Sequence, residues 1–233
     1  MAKQKPPATL QSGRRKLIAK FNPKSPVSEQ YRTIRTNIQF SAVDEDIRTI
    51  MVTSSGPAEG KSTTAANLAV VFAQQGKRVL LVDADMRKPT VHYTFGMNNA
   101  YGLTNILTRQ MELTEAVKTT DLSTLDILSS GPIPPNPAEL LSGKGMGGFF
   151  INAKEEYDTI VFDTPPVLAV TDAQVLANKC DGTILVISSG KTEIESAQKT
   201  KDLLMSAKAK VLGVVLNNKK MEKHDYYYYY GTK

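Results

Sequence analysis

Lys61 and Ser62, with Gly60 before them and Thr63 after, close a loop that opens at Ser55 and runs through Gly56, Pro57, Ala58 and Glu59. An apolar, β-branched run at 49–53 leads into this loop, and a helical pattern over 61–75 leads out of it. Strand, loop, helix is the setting in which backbone N–H groups and a helix N-terminus surround a phosphate chain. There the Lys61 ammonium reaches the outer phosphates and the Ser62 hydroxyl is placed to ligate Mg²⁺. Gly60 lets the backbone approach the anion closely. The front of the loop departs from the usual pattern, because Ser55 stands where the first glycine is expected, with Gly56 beside it. A glycine-lysine-serine triplet alone says little; its flanking strand and helix favour nucleotide binding over a structural turn.

Two further apolar runs end in acids. Residues 79–82 lead to Asp83 and Asp85, two positions apart, and residues 159–162 lead to Asp163. In a parallel sheet all three would arrive at the C-terminal edge, where ligands bind. One aspartate at a strand end is commonly a cap or turn residue. Three converging on a phosphate loop would raise one another's pKa values unless a cation neutralised them. Mg²⁺ held by Ser62 and these carboxylates, with ATP as the phosphate source, is the economical reading.

At the far end of the chain stand Tyr226, Tyr227, Tyr228, Tyr229 and Tyr230, five of nine tyrosines in all. Neither strand alternation nor a helical stripe asks for such a run, so a phosphate donor and a string of phenol acceptors share one polypeptide. From Leu216 to Tyr230 an extended linker reaches roughly 46–50 Å. Reach alone therefore does not separate transfer to the chain's own tail from transfer to a neighbour's. Each phosphate adds about −1.5 to −2 charge, so a fully modified tail adds about −7.5 to −10. That outweighs the formal net charge of +6.

The elements that must position these groups are legible as alternating patterns. Apolar runs at 49–53, 79–82, 125–128, 159–162, 183–187 and 211–216 alternate with helical segments at 61–75, 114–118, 137–142, 146–157, 172–178 and 193–207. Strands apolar on both faces are buried parallel strands, so the fold class is α/β, a mainly parallel sheet flanked by helices. At 233 residues and 41% hydrophobic composition, one globular domain is expected. The expected division is a basic disordered arm at 1–27, a phosphate-loop domain at 28–220 and a tyrosine-rich tail at 221–233. The arm carries Lys3, Lys5, Arg14, Arg15, Lys16, Lys20 and Lys24 with no acid, and the remaining 22 basic residues face 23 acids. It reads as a solubilising tail or as a contact, through residues 1–28, with an anionic membrane surface. With Phe21 its one aromatic, it does not read as sequence-specific nucleic-acid recognition. The lone Cys180 excludes an intrachain disulfide and points to a reducing, cytoplasmic setting. No signal peptide or membrane-length apolar run is legible.

A helix is also expected from Ser28, with Tyr31, Ile34 and Ile38 on one stripe and Glu29, Arg32 and Arg35 on the other side. By spacing alone that charged side is a solvated face with a Glu29–Arg32 pair. In the proline-rich stretch 131–141, Asn136 suits a helix cap, Pro137 its first turn and Glu139 a capping box.

Taken together, these motifs resemble the bacterial tyrosine kinases, the phosphate-loop kinases that serve capsular and exopolysaccharide synthesis, over nearly all of 28–233. The resemblance implies the fold of the partition-ATPase and nitrogenase-iron-protein class. It implies that Lys61 binds the transferring phosphate, that Asp83 is the base toward the tyrosine hydroxyl, and that Asp85 and Asp163 order Mg²⁺. It further implies that Glu29, Arg32 and Arg35 mediate a ring-shaped homo-oligomer in which neighbours phosphorylate one another's tails and other protein tyrosines serve as substrates. A membrane-bound activator would complete the site with its cytoplasmic tail and recruit the kinase to the inner face of the membrane. A partition-type ATPase is the nearest rival, but it usually carries a lysine where Gly56 stands and has no use for a tyrosine run. A scaffold that is another kinase's substrate is the non-enzymatic alternative. His92 and His224 form no metal-binding pattern, and Asn217, which is able to touch adenine, more often serves as a turn or cap.

Overall fold

The computed structural model describes residues 17–41 and 46–220. The tyrosine run Tyr226–Tyr230, His224 and the first 16 residues of the basic arm lie outside the described residues.

Seven strands form one sheet: β1 (Thr49–Ser54), β2 (Val79–Asp83), β3 (Lys118–Thr119), β4 (Leu125–Leu128), β5 (Thr159–Asp163), β6 (Gly182–Ser188) and β7 (Val211–Asn217). Their order is β3-β4-β2-β5-β1-β6-β7. All pairings are parallel except β3 with β4. The central strands are buried on both faces. Ile50, Val52, Leu81 and Val161 point into one apolar layer, and Met51, Leu80, Ile160 and Phe162 into the other. Period-two alternation between two cores is what reads in sequence as a continuous apolar run.

The first layer is covered by α1 (Ile18–Phe21), α2 (Pro26–Phe40) and α3 (Lys61–Ala73), the helix that leaves the phosphate loop. Ten of its thirteen residues are buried, from Thr64 to Ala73. The second layer is covered by α5 (Leu103–Leu107), α8 (Lys144–Glu156), α9 (Asp172–Ala177) and α10 (Ile194–Ser206). Three short helices, α4 (Val91–Phe95), α6 (Leu113–Ala116) and α7 (Pro137–Ser142), connect these elements.

The expected disordered arm through residue 27 fails for its last part. Leu17 and Ala19 are buried, and Ala19 is stitched to α3: its N–H donates to Asn67 Oδ1 at 2.9 Å and its carbonyl accepts from Gln74 Nε2 at 2.9 Å. The expected helix from Ser28 begins earlier, because the Ser25 hydroxyl caps Ser28 N–H at 3.1 Å and Pro26 takes the first turn. Tyr31 and Ile38 are buried on the expected stripe, with Ile34 packed beside them. Asn136 precedes α7 without capping it through its side chain, which donates to Glu139 Oε2 at 3.0 Å instead. No helix among the described residues is long and apolar enough to cross a membrane.

Candidate active site

Strand β1 delivers the phosphate loop to the C-terminal edge of the sheet. Gly60 caps α3 with φ of 98°, a conformation that L side chains rarely adopt, and a Cβ there would lie 2.0 Å from Asn217 Nδ2. Glycine is required on both counts. Pro57 and Ala58 are exposed at the loop tip, whereas Glu59 is buried. An acid inside an anion-binding loop demands an explanation, and its partners supply one. Glu59 Oε2 accepts the N–H groups of Ser55 at 2.9 Å and Gly56 at 3.1 Å, while Oε1 accepts the Thr192 hydroxyl at 2.6 Å. The Glu59 carbonyl accepts from Asn217 Nδ2 at 2.9 Å. The carboxylate thus satisfies the front of the loop from within and ties it to the turn after β6 and the end of β7. Asn217 serves as that tie.

Behind the loop the Lys61 ammonium donates to Asp85 Oδ2 at 2.9 Å, Ser62 Oγ at 3.2 Å and Asp163 Oδ1 at 3.3 Å. Burial alone would depress the lysine, but Asp163, Asp85 and Asp83 outweigh it and hold Lys61 above the ordinary range. Asp163 is fully buried; burial pushes its carboxyl up, and Lys61 and Ser62 only partly restrain it. Among the described residues its Oδ2 has no hydrogen-bond partner. A buried carboxylate oxygen left open, beside a second carboxylate and a hydroxyl, is a hard-oxygen set of the kind Mg²⁺ takes alongside water and phosphate. The residues present therefore fit the cation. Among the described residues no three His, Cys, Asp or Glu side chains form a metal cage by themselves.

The expected convergence of three aspartates is corrected at Asp83. Its Oδ2 turns back to accept the N–H groups of Val91 at 2.9 Å and Thr90 at 3.0 Å, fastening the start of α4, and Oδ1 accepts the Asp85 N–H at 3.3 Å. Burial first and then Asp163, its register partner across β2 and β5, push Asp83 up to about 8. Asp85 Oδ1 accepts the Lys88 N–H at 3.0 Å, leaving Oδ2 for the ammonium. Arg87 makes a bidentate pair with fully buried Asp172, at 2.9 and 3.0 Å, which pins this loop to α9.

The loop residues and Lys61, Asp85 and Asp163 are brought together; Glu29, Arg32 and Arg35 lie elsewhere, on α2. Glu29 is exposed and pairs with Arg32, which also donates to the Pro23 carbonyl at 2.7 Å. Arg35 is not free on the solvent side as expected: its Nη1 donates to the Val71 carbonyl near the end of α3 at 2.6 Å. His92 is buried against the Tyr93 ring, and Cys180 is a buried thiol pushed up by burial. Sequence reading missed Thr192, Asn217 as a tie, and the Arg87–Asp172 pair. Glu59 in an anion loop was the only visible signal, because partners more than 80 positions apart leave no local pattern.

The AAA domain family profile matches residues 47–210. The tyrosine-protein kinase YwqD of Bacillus subtilis is 58% identical over 94% of this chain and 92% of its own. The putative tyrosine-protein kinase CapB of Staphylococcus aureus is 44% identical over 90% of this chain and 92% of its own. The crystal structure of the chimerical protein CapA2B2 superposes with a TM-score of 0.86 at 42% identity, covering 89% of this chain and 91% of that one.

Proposed function

Because the chain belongs to the bacterial tyrosine-protein kinase family and is a protein-tyrosine kinase, we propose that it moves the γ-phosphoryl of ATP onto Tyr226, Tyr227, Tyr228, Tyr229 and Tyr230. We propose that the exchange runs between neighbours in a ring-shaped homo-oligomer and regulates capsular or extracellular polysaccharide synthesis or export. The observation that carries this reading is the Lys61 ammonium held among Asp85, Asp163 and Ser62 at the strand ends beside the loop.

In the proposed reaction the tyrosine oxygen forms a bond to the γ-phosphorus as the bond to the β-phosphate bridging oxygen breaks, and ADP leaves. Phosphoryl transfer needs positioning and charge neutralisation more than covalent assistance. The N–H groups of Ala58 and Glu59 through Thr63 would line the phosphate path, with Gly56 and Pro57 shaping the front of the loop and Lys61 reaching the transferring group. Ser62, Asp85 and Asp163 would hold Mg²⁺, which when bound neutralises charge on the phosphates. A free phenol, with a pKa near 10, is neutral at pH 7. Asp83 is the proposed acceptor of its proton, through Oδ1, whose one contact is the long 3.3 Å bond.

The exposed Glu29 and half-exposed Arg32 support α2 as the ring contact. Recruitment by a membrane-bound activator, whose cytoplasmic tail completes the site, rests on the resemblance to the family, as does a cytoplasmic location. The test is incubation with γ-labelled ATP, Mg²⁺ and the activator's cytoplasmic peptide, followed by phosphotyrosine detection. Labelled tyrosine supports the reading; release of free phosphate with no labelled tyrosine sinks it in favour of an ATPase.

A further inference from the structure

Lys61 engages the same three side chains that the kinase reading gives to the cation. Its ammonium lies 2.9 Å from Asp85 Oδ2, 3.3 Å from Asp163 Oδ1 and 3.2 Å from Ser62 Oγ. The Asp163 side chain is fully buried and that of Asp85 nearly so, which confines both carboxylates to this one cradle. An ammonium and a divalent cation within one such cradle repel each other strongly, because little water screens them. Removing the ammonium with nothing in its place leaves two carboxylates buried side by side, which is costly.

We infer that Lys61 and the divalent cation compete for the Asp85–Asp163–Ser62 cradle, so that the cation enters only as phosphate draws the ammonium away. The inference rests on the kinase reading of this site and adds the order in which the site fills. A triphosphate resolves the competition on both sides. It offers the lysine a new anionic partner at the loop, and it supplies oxygen ligands to a cation that two carboxylates and a hydroxyl do not satisfy alone. The lysine's flexible four-carbon stem permits the swing while its point charge fits either partner. By linkage, whatever factor nucleotide gains from the cation the cation gains from nucleotide. Nucleotide and cation therefore load together, and cation without nucleotide loads poorly. Asp163 Oδ2, buried without a hydrogen-bond partner among the described residues, is the oxygen that gains most when the cation arrives.

The test is Mn²⁺ binding to the full chain freed of nucleotide, read from the electron paramagnetic resonance signal of unbound ion. Lys61→Met is expected to bind one Mn²⁺ at least about tenfold more tightly than the wild type, since an opposing buried charge is gone. Adding Asp85→Asn to that variant is expected to cancel the gain. A second measurement needs no variant: Mn²⁺ without nucleotide, raised until the site fills, should speed acetylation of Lys61 as read by mass spectrometry. Equal Mn²⁺ affinity in wild type and Lys61→Met, or an acetylation rate that filling the site leaves unchanged or slows, overturns the competition. Phosphotyrosine labelling of the same wild-type preparation by ATP keeps the two readings apart. A protein that labels its tyrosines yet shows no Lys61 effect on Mn²⁺ loses only the competition. One that shows the effect and never labels loses only the kinase assignment.

Discussion

The two ends of one sheet treat their acids in opposite ways. At the C-terminal edge Asp83 and Asp163 are fully buried and pushed up by burial, and Asp163 shares one ammonium with Asp85. At the N-terminal edge Asp181 accepts the N–H groups of Thr49 at 2.8 Å and Arg48 at 3.0 Å and faces the Lys154 ammonium at 3.4 Å. Burial there pulls upward too, but Thr49, Lys154 and Arg48 outweigh it and hold Asp181 below the usual carboxylate range. Acids at one end are short of positive partners, which a ligand and its cation can supply; acids at the other already have theirs. Charge left uncompensated in a buried place marks function, and charge fully met marks fold.

Substitutions at the two ends should separate activity from stability. The largest effect is expected from Lys61→Met, a loss of about 10²–10³-fold in tyrosine labelling in a protein that still folds; labelling that survives would place the chemistry elsewhere. Removing Mg²⁺ with a chelator should likewise stop transfer, and restoring it should restore labelling.

Next comes Glu59→Ala, which strips the Ser55 and Gly56 N–H groups of their acceptor and cuts the tie to Thr192. A misplaced loop should raise KM for ATP more than it lowers kcat, with about a tenfold fall in kcat/KM. Glu59→Gln keeps an acceptor oxygen and should lose less. An alanine variant with unchanged KM would show that the carboxylate does not shape the loop.

At the other end Asp181→Asn should leave labelling untouched and cost about 1 kcal/mol of stability at neutral pH, allowing for partial exposure. Because the folded-state pKa lies below the unfolded one, this stabilisation is present above the unfolded value and fades as pH falls through the folded value. Wild-type and variant denaturation midpoints should therefore converge in acid. Midpoints that stay parallel down through that range would mean the Asp181 charge is not what stabilises.

The smallest effect is expected from Tyr157→Phe, which loses only the hydroxyl's 3.0 Å bond to Asp126 Oδ2 at a half-buried place. It should cost about 0.5–1 kcal/mol and leave labelling unchanged. A labelling defect would break the division between the two edges.

What was legible in the sequence follows the range of the forces involved. Ile50, Leu80 and Phe162 declared their strands because burial on both faces leaves an uninterrupted apolar run. Lys118–Thr119 did not, because two residues carry no period. Ser25 and Pro26 carried a cap-and-first-turn signal, masked by the surrounding basic residues that suggested a disordered arm. The loop, Lys61 and the strand-end acids were legible because strand, turn and helix write them in consecutive positions. The inward turn of Asp83 to Thr90 and Val91, and the tie from Glu59 to Thr192 and Asn217, were not. These are choices of hydrogen-bond partner made only once separate strands are side by side.

The central claim is that phosphate passes from the Lys61 pocket to the tail tyrosines. Mass spectrometry of the tail after incubation with ATP, Mg²⁺ and the activator's cytoplasmic peptide tests it most directly. The account predicts phosphate on the Tyr226–Tyr230 segment of the wild type and none on Lys61→Met incubated alone. An unmodified wild-type tail while ATP is consumed, or a fully modified tail in Lys61→Met alone, would contradict it.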